Sequence, residues 1–301
     1  MRVGKVNFNK YYRSFNVLSA LLIVISLILL TFKGLNFGVD FKGGTLIELR
    51  ATDNQITISQ LRQSFLNMNL GDVNIKKFGK NNDYLIKFEK KNDTNNTLIE
   101  EVKTDLIKSL GSGFKFRRVE NVGPKVSSEL LKSGVIAIIL SLTAMLIYIW
   151  IRFEWQFSLG AIIALFHDVV LTLGVFSLFS LEINLSIVAA ILTIVGYSMN
   201  DTVVIFDRVR ENLKKFSDIK IFELTNISIN ETLSRTIITS ATTLLALFSI
   251  FIFGGEILKG FSLAMILGVI FGTYSSIYIA NPILVFLRVS QRTILKEEKN
   301  N

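Results

Sequence analysis

Six apolar runs separated by polar segments organise the chain. They lie at roughly 15–32, 133–151, 157–179, 186–206, 236–253 and 261–287, and each can cross a ~30 Å hydrocarbon core. The first follows the polar stretch 1–14 and is read as an uncleaved transmembrane helix over 15–35. It is long for the h-region of a signal peptide, and no A-x-A-like cleavage site follows it. Residues 132–288 carry the other five spans with a polar loop at 207–235, and 289–301 form a polar tail.

Between the first and second runs, residues 36–131 change character. GTLIELRA (44–51) alternates like a strand, and TISQLRQSFLNMNL (57–70) has helical spacing. DVNIKKFG and DYLIKFEKK read as strands around the turn KNND, and NTLIEEVKTDLIKSLG reads as a helix ending on Gly111. FKFRRVENV closes the segment as a strand. The order β-α-β-β-α-β predicts a ferredoxin-like α+β domain inserted into a helical membrane protein. The Asn-rich NDTNNT (92–97) reads as an exposed loop.

Composition agrees with a membrane protein. Half the residues are hydrophobic and the formal net charge is +9, which points to loop topology and anionic lipid heads, not to nucleic acid. There is no Cys, so no disulfide framework or thiolate chemistry is available. Lys and Arg of the short segments sort to one side. Arg2, Lys5, Lys10 and Arg13, Arg152, the 207–235 loop and the tail lie there, while the short loops opposite offer only Lys259. Both termini are therefore expected in the cytoplasm and 36–131 outside, in periplasm or its equivalent. No G-x-x-x-x-G-K-[ST] loop, zinc-type His/Cys cluster or G-x-S-x-G elbow is present. An ion gradient is the energy source left, and one charge moved through 100 mV yields ~2.3 kcal/mol.

Polar residues inside the runs are the candidate chemistry. The fourth run carries Thr193, Tyr197, Asn200, Asp201 and, beyond it, Arg208 near one helical face. The fifth carries or adjoins Thr232, Arg235, Thr239, Thr242 and Thr243, and the third carries His167, Asp168 and Thr172. Such stripes are expected to face a bundle interior or a wet cavity. Asp201 reads either as a functional carboxylate or as a boundary residue. For Arg235 the pattern favours a positive-inside anchor. His167 and Asp168 are neighbours pointing ~100° apart, so spacing does not make them a preformed pair. A structural role and a relay both stand for them. Asp207, Arg208 and Arg210 read as a solvated helix start. Ala264, Gly268, Gly272, Ser276 and Ala280 form a small-xxx-small face for helix contact.

Long motifs then add a resemblance. GVDFKGGT (38–45), VENVGPKVSSEL (119–130), FEWQFSLGAIIALFHDVVLTLG (153–174), GYSMNDTVVIFDRVREN (196–212) and INETLSRTIITSATTLLALFSIFIFGG (229–255) together resemble the SecF family of the bacterial SecD–SecF protein-export complex. That family belongs to the resistance-nodulation-division (RND) superfamily. The resemblance implies one six-helix half of such a transporter in the bacterial inner membrane, with SecD supplying the other half. It implies the SecYEG channel, SecA, YajC and YidC as partners and unfolded preprotein as substrate. No cofactor or metal and no enzyme activity are implied. Proton flow is expected to pull preproteins outward and to support membrane-protein insertion, with Na⁺ an alternative ion. The family's fourth-span Asp and fifth-span Arg, proton-pathway residues, match Asp201 and Arg235, which reverses the anchor reading of Arg235. Asn200, Tyr197, His167 and Asp168 are secondary candidates. Two other functions share the architecture: an exporter half carrying lipid or a small molecule, and a non-transporting scaffold of the translocase.

Overall fold

The computed structural model describes residues 6–51, 56–68, 70, 73–78, 82–88, 97–111, 113–216, 219–291 and 293. Most of the Asn-rich loop and of the tail lie outside the described residues. A 3₁₀ turn leads into α1 (Tyr12–Phe32), followed by β1 (Asn36–Phe37), α2 (Val39–Lys42), β2 (Gly44–Ala51), α3 (Ile58–Asn67), β3 (Val73–Phe78), β4 (Asp83–Phe88), α4 (Thr97–Leu110) and β5 (Phe114–Val122). Then come α5 (Pro124–Arg152), α6 (Trp155–Leu178), β6 (Glu182–Ile183), α7 (Leu185–Lys215), α8 (Ile221–Phe253) and α9 (Gly255–Ser275). A π-helical segment, Ser276–Ala280, joins α9 to α10 (Asn281–Phe286). Residues Phe37–Val135 form one compact unit, and the chain before and after them forms the other.

The inserted unit is ferredoxin-like. Its antiparallel sheet has the order β3-β4-β2-β5. Ile75, Ile86, Ile47 and Val119 stand in register across the four strands. Leu61 and Phe65 of α3 and Val102 and Leu106 of α4 complete a core with Ile47, Leu49, Tyr84 and Phe88. Thr57 and Gln60 cap α3 reciprocally, satisfying first-turn amides that would otherwise be orphaned. The alternate positions of β2 carry charge. Arg50 faces Asp83 across the sheet and grips its two oxygens at 2.5 and 2.8 Å, and Arg117 reaches Asp83 and Glu48 at 3.4 Å. Arg50 holds the Asp83 carboxyl below its ordinary value. A carboxyl depressed on folding stabilises the unit above the unfolded value of ~3.9, and that contribution is lost as pH falls through the folded value. Asp83→Asn is therefore expected to lower the melting temperature of this unit at neutral pH, with the gap from wild type closing below about pH 4. Thermal scans across pH check this, and a gap that stays constant into acid contradicts it.

Two glycines end α2. Gly43 and Gly44 have φ of 78° and 122°, which side chains with a Cβ rarely adopt. A Cβ on Gly43 would also sit 3.3 Å from Ser127 Oγ and Val122 O.

Among the described residues, six helical stretches are long and apolar enough to cross a membrane. The helices outrun the apolar runs. α5 begins at Pro124, α7 continues to Lys215 and α8 starts at Ile221. The expected 207–235 loop is therefore mostly helix, and its only non-helical part is the short connector 216–220, of which 217 and 218 lie outside the described residues. Tertiary contact decides this. Val209, Asn212 and Leu213 of α7 and Leu224, Thr225, Ser228 and Ile229 of α8 are buried, and Asn212 Nδ2 donates to Ser228 Oγ and Glu231 Oε2. Polarity ends an apolar run without ending a helix, and no Gly or Pro occurs in 207–235 to do so.

α6, α7 and α9 are the most buried helices of the membrane unit, while α1, α5 and α8 expose Leu21, Val24, Ile139, Leu140, Ile238 and Leu245. Apolar residues on the outside of a helical bundle suit hydrocarbon as solvent. α9 lies close on α7 because its small face removes the side chains between them. An ideal Cβ on Gly268 would stand 2.2 Å from Ile194 Cγ1, and one on Gly272 would stand 2.9 Å from Ser198 Cβ.

Candidate functional site

Two buried acids lie within the helices of the membrane unit, and a third, Glu154, just before α6. Asp168, on α6, is fully buried. Its Oδ2 accepts from Ser198 Oγ of α7 at 2.6 Å and from Ser275 Oγ of α9 at 2.7 Å. Its Oδ1 lies 2.9 Å from His167 Nδ1. The expectation that His167 and Asp168 do not pair is therefore wrong. Their Cα–Cβ bonds diverge, but burial leaves these polar groups few other partners, and their χ rotations bring them together. The His167 ring lies over Tyr274, with centroids 5.8 Å apart. Tyr274 Oη in turn donates to Phe15 O of α1 and bonds to Ser19 Oγ.

Asp201, on α7, is 3% exposed, against a boundary residue's open position. Ser240 Oγ of α8 and Thr273 Oγ1 of α9 each lie 3.4 Å from its Oδ2 and 2.8 Å from one another, so two hydroxyl hydrogens serve three contacts. The contacts to Oδ2 are long, and those on Asp168 are short. α9 serves both acids from opposite faces, because Thr273 and Ser275 are two positions apart on a helix. The regular helix ends at Ser275, and the π-helical segment follows at once. Asn281 Nδ2 donates to the carbonyl of Ser276 at 2.7 Å, in the part of the ladder where the π turn interrupts i→i−4 bonding.

The predicted polar stripes divide. On α7, Thr193 and Asn200 are exposed in the isolated chain, while Tyr197 is half-buried and bonds to Thr243 Oγ1 and Thr239 O of α8. On α8, Thr232, Thr236 and Ser240 form the buried row, and Arg235 and Thr242 lie on the exposed side. The reason is angular. A stripe of polar residues is broader than the strip a neighbouring helix covers. Arg235 makes no ion pair with Asp201 among the described residues.

Asp207, Arg208 and Arg210 do not start a helix. They lie within α7, and each is paired: Asp207 with Arg152, Arg208 with Glu211 and Glu231, and Arg210 with the buried Glu154 at 3.1 Å. Sequence reasoning missed Ser198, Ser240, Thr273 and Ser275. Their signal was present as hydroxyls inside apolar runs, most densely in TYSS (273–276).

Two buried carboxylates, met by hydroxyls of α7, α8 and α9, can bind and release a cation or proton within the membrane unit. Comparison with known proteins gives this arrangement a family. The family described as "Protein export membrane protein SecD/SecF, C-terminal" matches residues 102–290, and the "SecD/SecF GG Motif" matches residues 28–54. The chain belongs to the SecD/SecF protein-export family.

The SecF relatives narrow the match. Protein translocase subunit SecF of Rickettsia bellii is 45% identical over 280 residues, covering 93% of this chain and 91% of that protein. SecF of Cereibacter sphaeroides is 42% identical over 289 residues, covering 93% and 89%. The crystal structure of SecDF from Thermus thermophilus, described as a translocon-associated membrane protein, superposes with a TM-score of 0.83 at 35% identity over 95% of this chain. A second SecDF structure, in a super-membrane-facing form, gives a TM-score of 0.70 at 34% identity. The chain spans 39% and 40% of those two SecDF chains. The GG motif of the family includes Gly43 and Gly44, whose positive φ values give those glycines a backbone reason.

Proposed function

We propose that this chain is the SecF-type half of an ion-driven accessory unit of the Sec translocase. Proton flow through its helices would drive movements that pull preproteins outward, after SecA and the SecYEG channel have moved them across the membrane, and would support membrane-protein insertion. The observation that carries the proposal is Asp201: a carboxylate buried among apolar helices and met only by long hydroxyl contacts from α8 and α9, while Arg235 lies on the exposed side of that same α8. A carboxylate in hydrocarbon is costly. Weak bonds to it leave protonation as the way to relieve that cost. In the proposed cycle Arg235 approaches in one conformation and withdraws in another, so that the proton is taken and given on opposite sides.

This chain matches only 39% and 40% of the two SecDF chains, and the length left over supports a SecD chain as the second half. SecYEG, SecA, YajC and YidC are the further partners the reading implies. The distribution of Lys and Arg supports a place in the bacterial inner membrane with both termini cytoplasmic and the ferredoxin-like unit outside. H⁺ is the coupling ion of this reading and Na⁺ the alternative, since a carboxylate with Thr and Asn neighbours can serve either. No cofactor enters the cycle.

Late-stage release of a preprotein from energised membrane vesicles tests this. Collapse of the proton gradient with a protonophore is expected to stop release after SecA has finished. A scaffold without ion coupling would release at an unchanged rate. Restoring release by a sodium gradient alone would move the proposal to Na⁺.

A further inference from the structure

The reading of Asp201 leaves the buried Asp168 without a task. We propose that the His167–Asp168 pair is a second proton-binding site of the membrane unit, exchanging one proton at His167 Nε2. The pair is fully buried, and the hydrogen count of its network carries the inference.

Asp168 Oδ2 accepts from two serine hydroxyls, and Oδ1 faces His167 Nδ1. One hydrogen sits between Oδ1 and Nδ1. With that hydrogen alone, the pair is a carboxylate and a neutral imidazole, and its net charge is −1. Nε2 is then a bare lone pair. Adding a proton forms an N–H bond at Nε2 and breaks an O–H bond of hydronium. The product is imidazolium with carboxylate, or neutral imidazole with carboxylic acid if the shared hydrogen crosses to Oδ1. Either way the net charge is zero, both serine bonds persist, and the hydrogen gained is on Nε2. That atom is buried and meets no hydrogen-bond partner among the described residues. Every other polar atom of the pair is engaged, so Nε2 is the open valence of the network.

The surroundings leave the charge of the pair to the proton. From α9 Tyr274 lies against the ring, but its hydroxyl is engaged with α1 at Ser19 and Phe15. Tyr278 of the π-helical segment packs at a tilt against Tyr274, and Tyr12 of α1 meets Tyr278 edge to face. Asp201 on α7 is served by Ser240 and Thr273, not by the donors of Asp168. The charged groups of α7 beyond it, from Asp207 to Lys215, lie at least nine residues from Ser198, about 13 Å along the helix. Glu154 immediately precedes α6, fourteen residues before Asp168, and is paired with Arg210. Arg13 and Lys33 lie at the two ends of α1, Lys259 near the start of α9, and α10 carries no ionisable side chain. No Lys or Arg bonds to the pair among the described residues.

His167 is the chain's one histidine, so every histidine resonance belongs to it. The test is a ¹⁵N-histidine spectrum of the full chain in lipid nanodiscs, titrated from about pH 9 to about pH 5. Nε2 is expected to pass from bare to hydrogen-bearing in wild type. In Asp168→Asn the midpoint is expected to move by about 1 pH unit or more, and Asp168→Glu should restore the transition. An Nε2 signal unchanged across the range, or the same midpoint in Asp168→Asn, overturns the proposal. The wild-type titration decides alone if a variant does not fold. The measurement reads no export, so its failure leaves the proposed role of Asp201 standing, and the failure of that role leaves this site standing.

Discussion

Asp201→Asn is expected to abolish the gradient-dependent part of preprotein export while the protein accumulates and folds as wild type does. Asn keeps the shape and still accepts from Ser240 and Thr273, so the bundle loses no donor's partner. What it loses is the ability to carry a proton. A single charge moved through 100 mV is worth ~2.3 kcal/mol, which corresponds to about 50-fold in a rate if all of it reaches the limiting step. Arg235→Met should give a loss of the same order, because the cation that favours the ionised carboxylate is gone. Asp201→Glu, which keeps the proton but moves it by one methylene, should retain part of the activity. Export into membrane vesicles with and without a gradient, normalised to protein level, measures all three. Full gradient dependence in Asp201→Asn would remove Asp201 from the ion path and favour the scaffold.

Gly268→Ala should be among the most damaging single methyls in the membrane unit. The added Cβ would lie 2.2 Å from Ile194 Cγ1, 2.6 Å from its Cδ1 and 2.8 Å from its Cγ2. Real carbon atoms do not approach so closely, so α7 and α9 must separate or Ile194 must leave its rotamer. Ile194 is 1% exposed and has nowhere to go. Overpacking of this kind costs about 1–3 kcal/mol, and Gly268→Leu should prevent folding of the bundle. The thermal midpoint in detergent reports the Ala variant. Ile194→Ala clears the space, so adding it should cost less in the Gly268→Ala background than in wild type. Simple additivity of the two changes would mean that these helices do not meet at this point. Because α9 bears both Thr273 and Ser275, a separation there should also loosen the donors of Asp201 and Asp168.

Much of the architecture was legible in the chain. The ferredoxin-like order followed from alternation in GTLIELRA and helical spacing in 57–70, because period and turn residues are local properties. The six spans followed from length and hydropathy, because a bilayer demands satisfied backbone and apolar surface over a fixed thickness. The helix ends were less legible. α7 continues through 207–215 and α8 begins at Ile221 because each supplies the other's partners, and a partner distant in sequence leaves no local mark.

The site shows the same division. Sequence marked Asp168 and Asp201 because ionisable groups in apolar runs are rare and costly. It could not show that Ser198 and Ser275 belong to Asp168, or Ser240 and Thr273 to Asp201, since those pairs are 30, 107, 39 and 72 residues apart. Nor could it show that His167 turns to its neighbour. Helical geometry sets the direction of each Cβ, and burial among three helices decides what the side chain does beyond it. Composition and periodicity thus determined that this is a six-span membrane protein with an inserted α+β unit and buried acids. Which hydroxyl holds which acid was decided only where α6, α7, α8 and α9 meet, because hydrogen bonds act over about 3 Å and a linear chain does not specify its own distances.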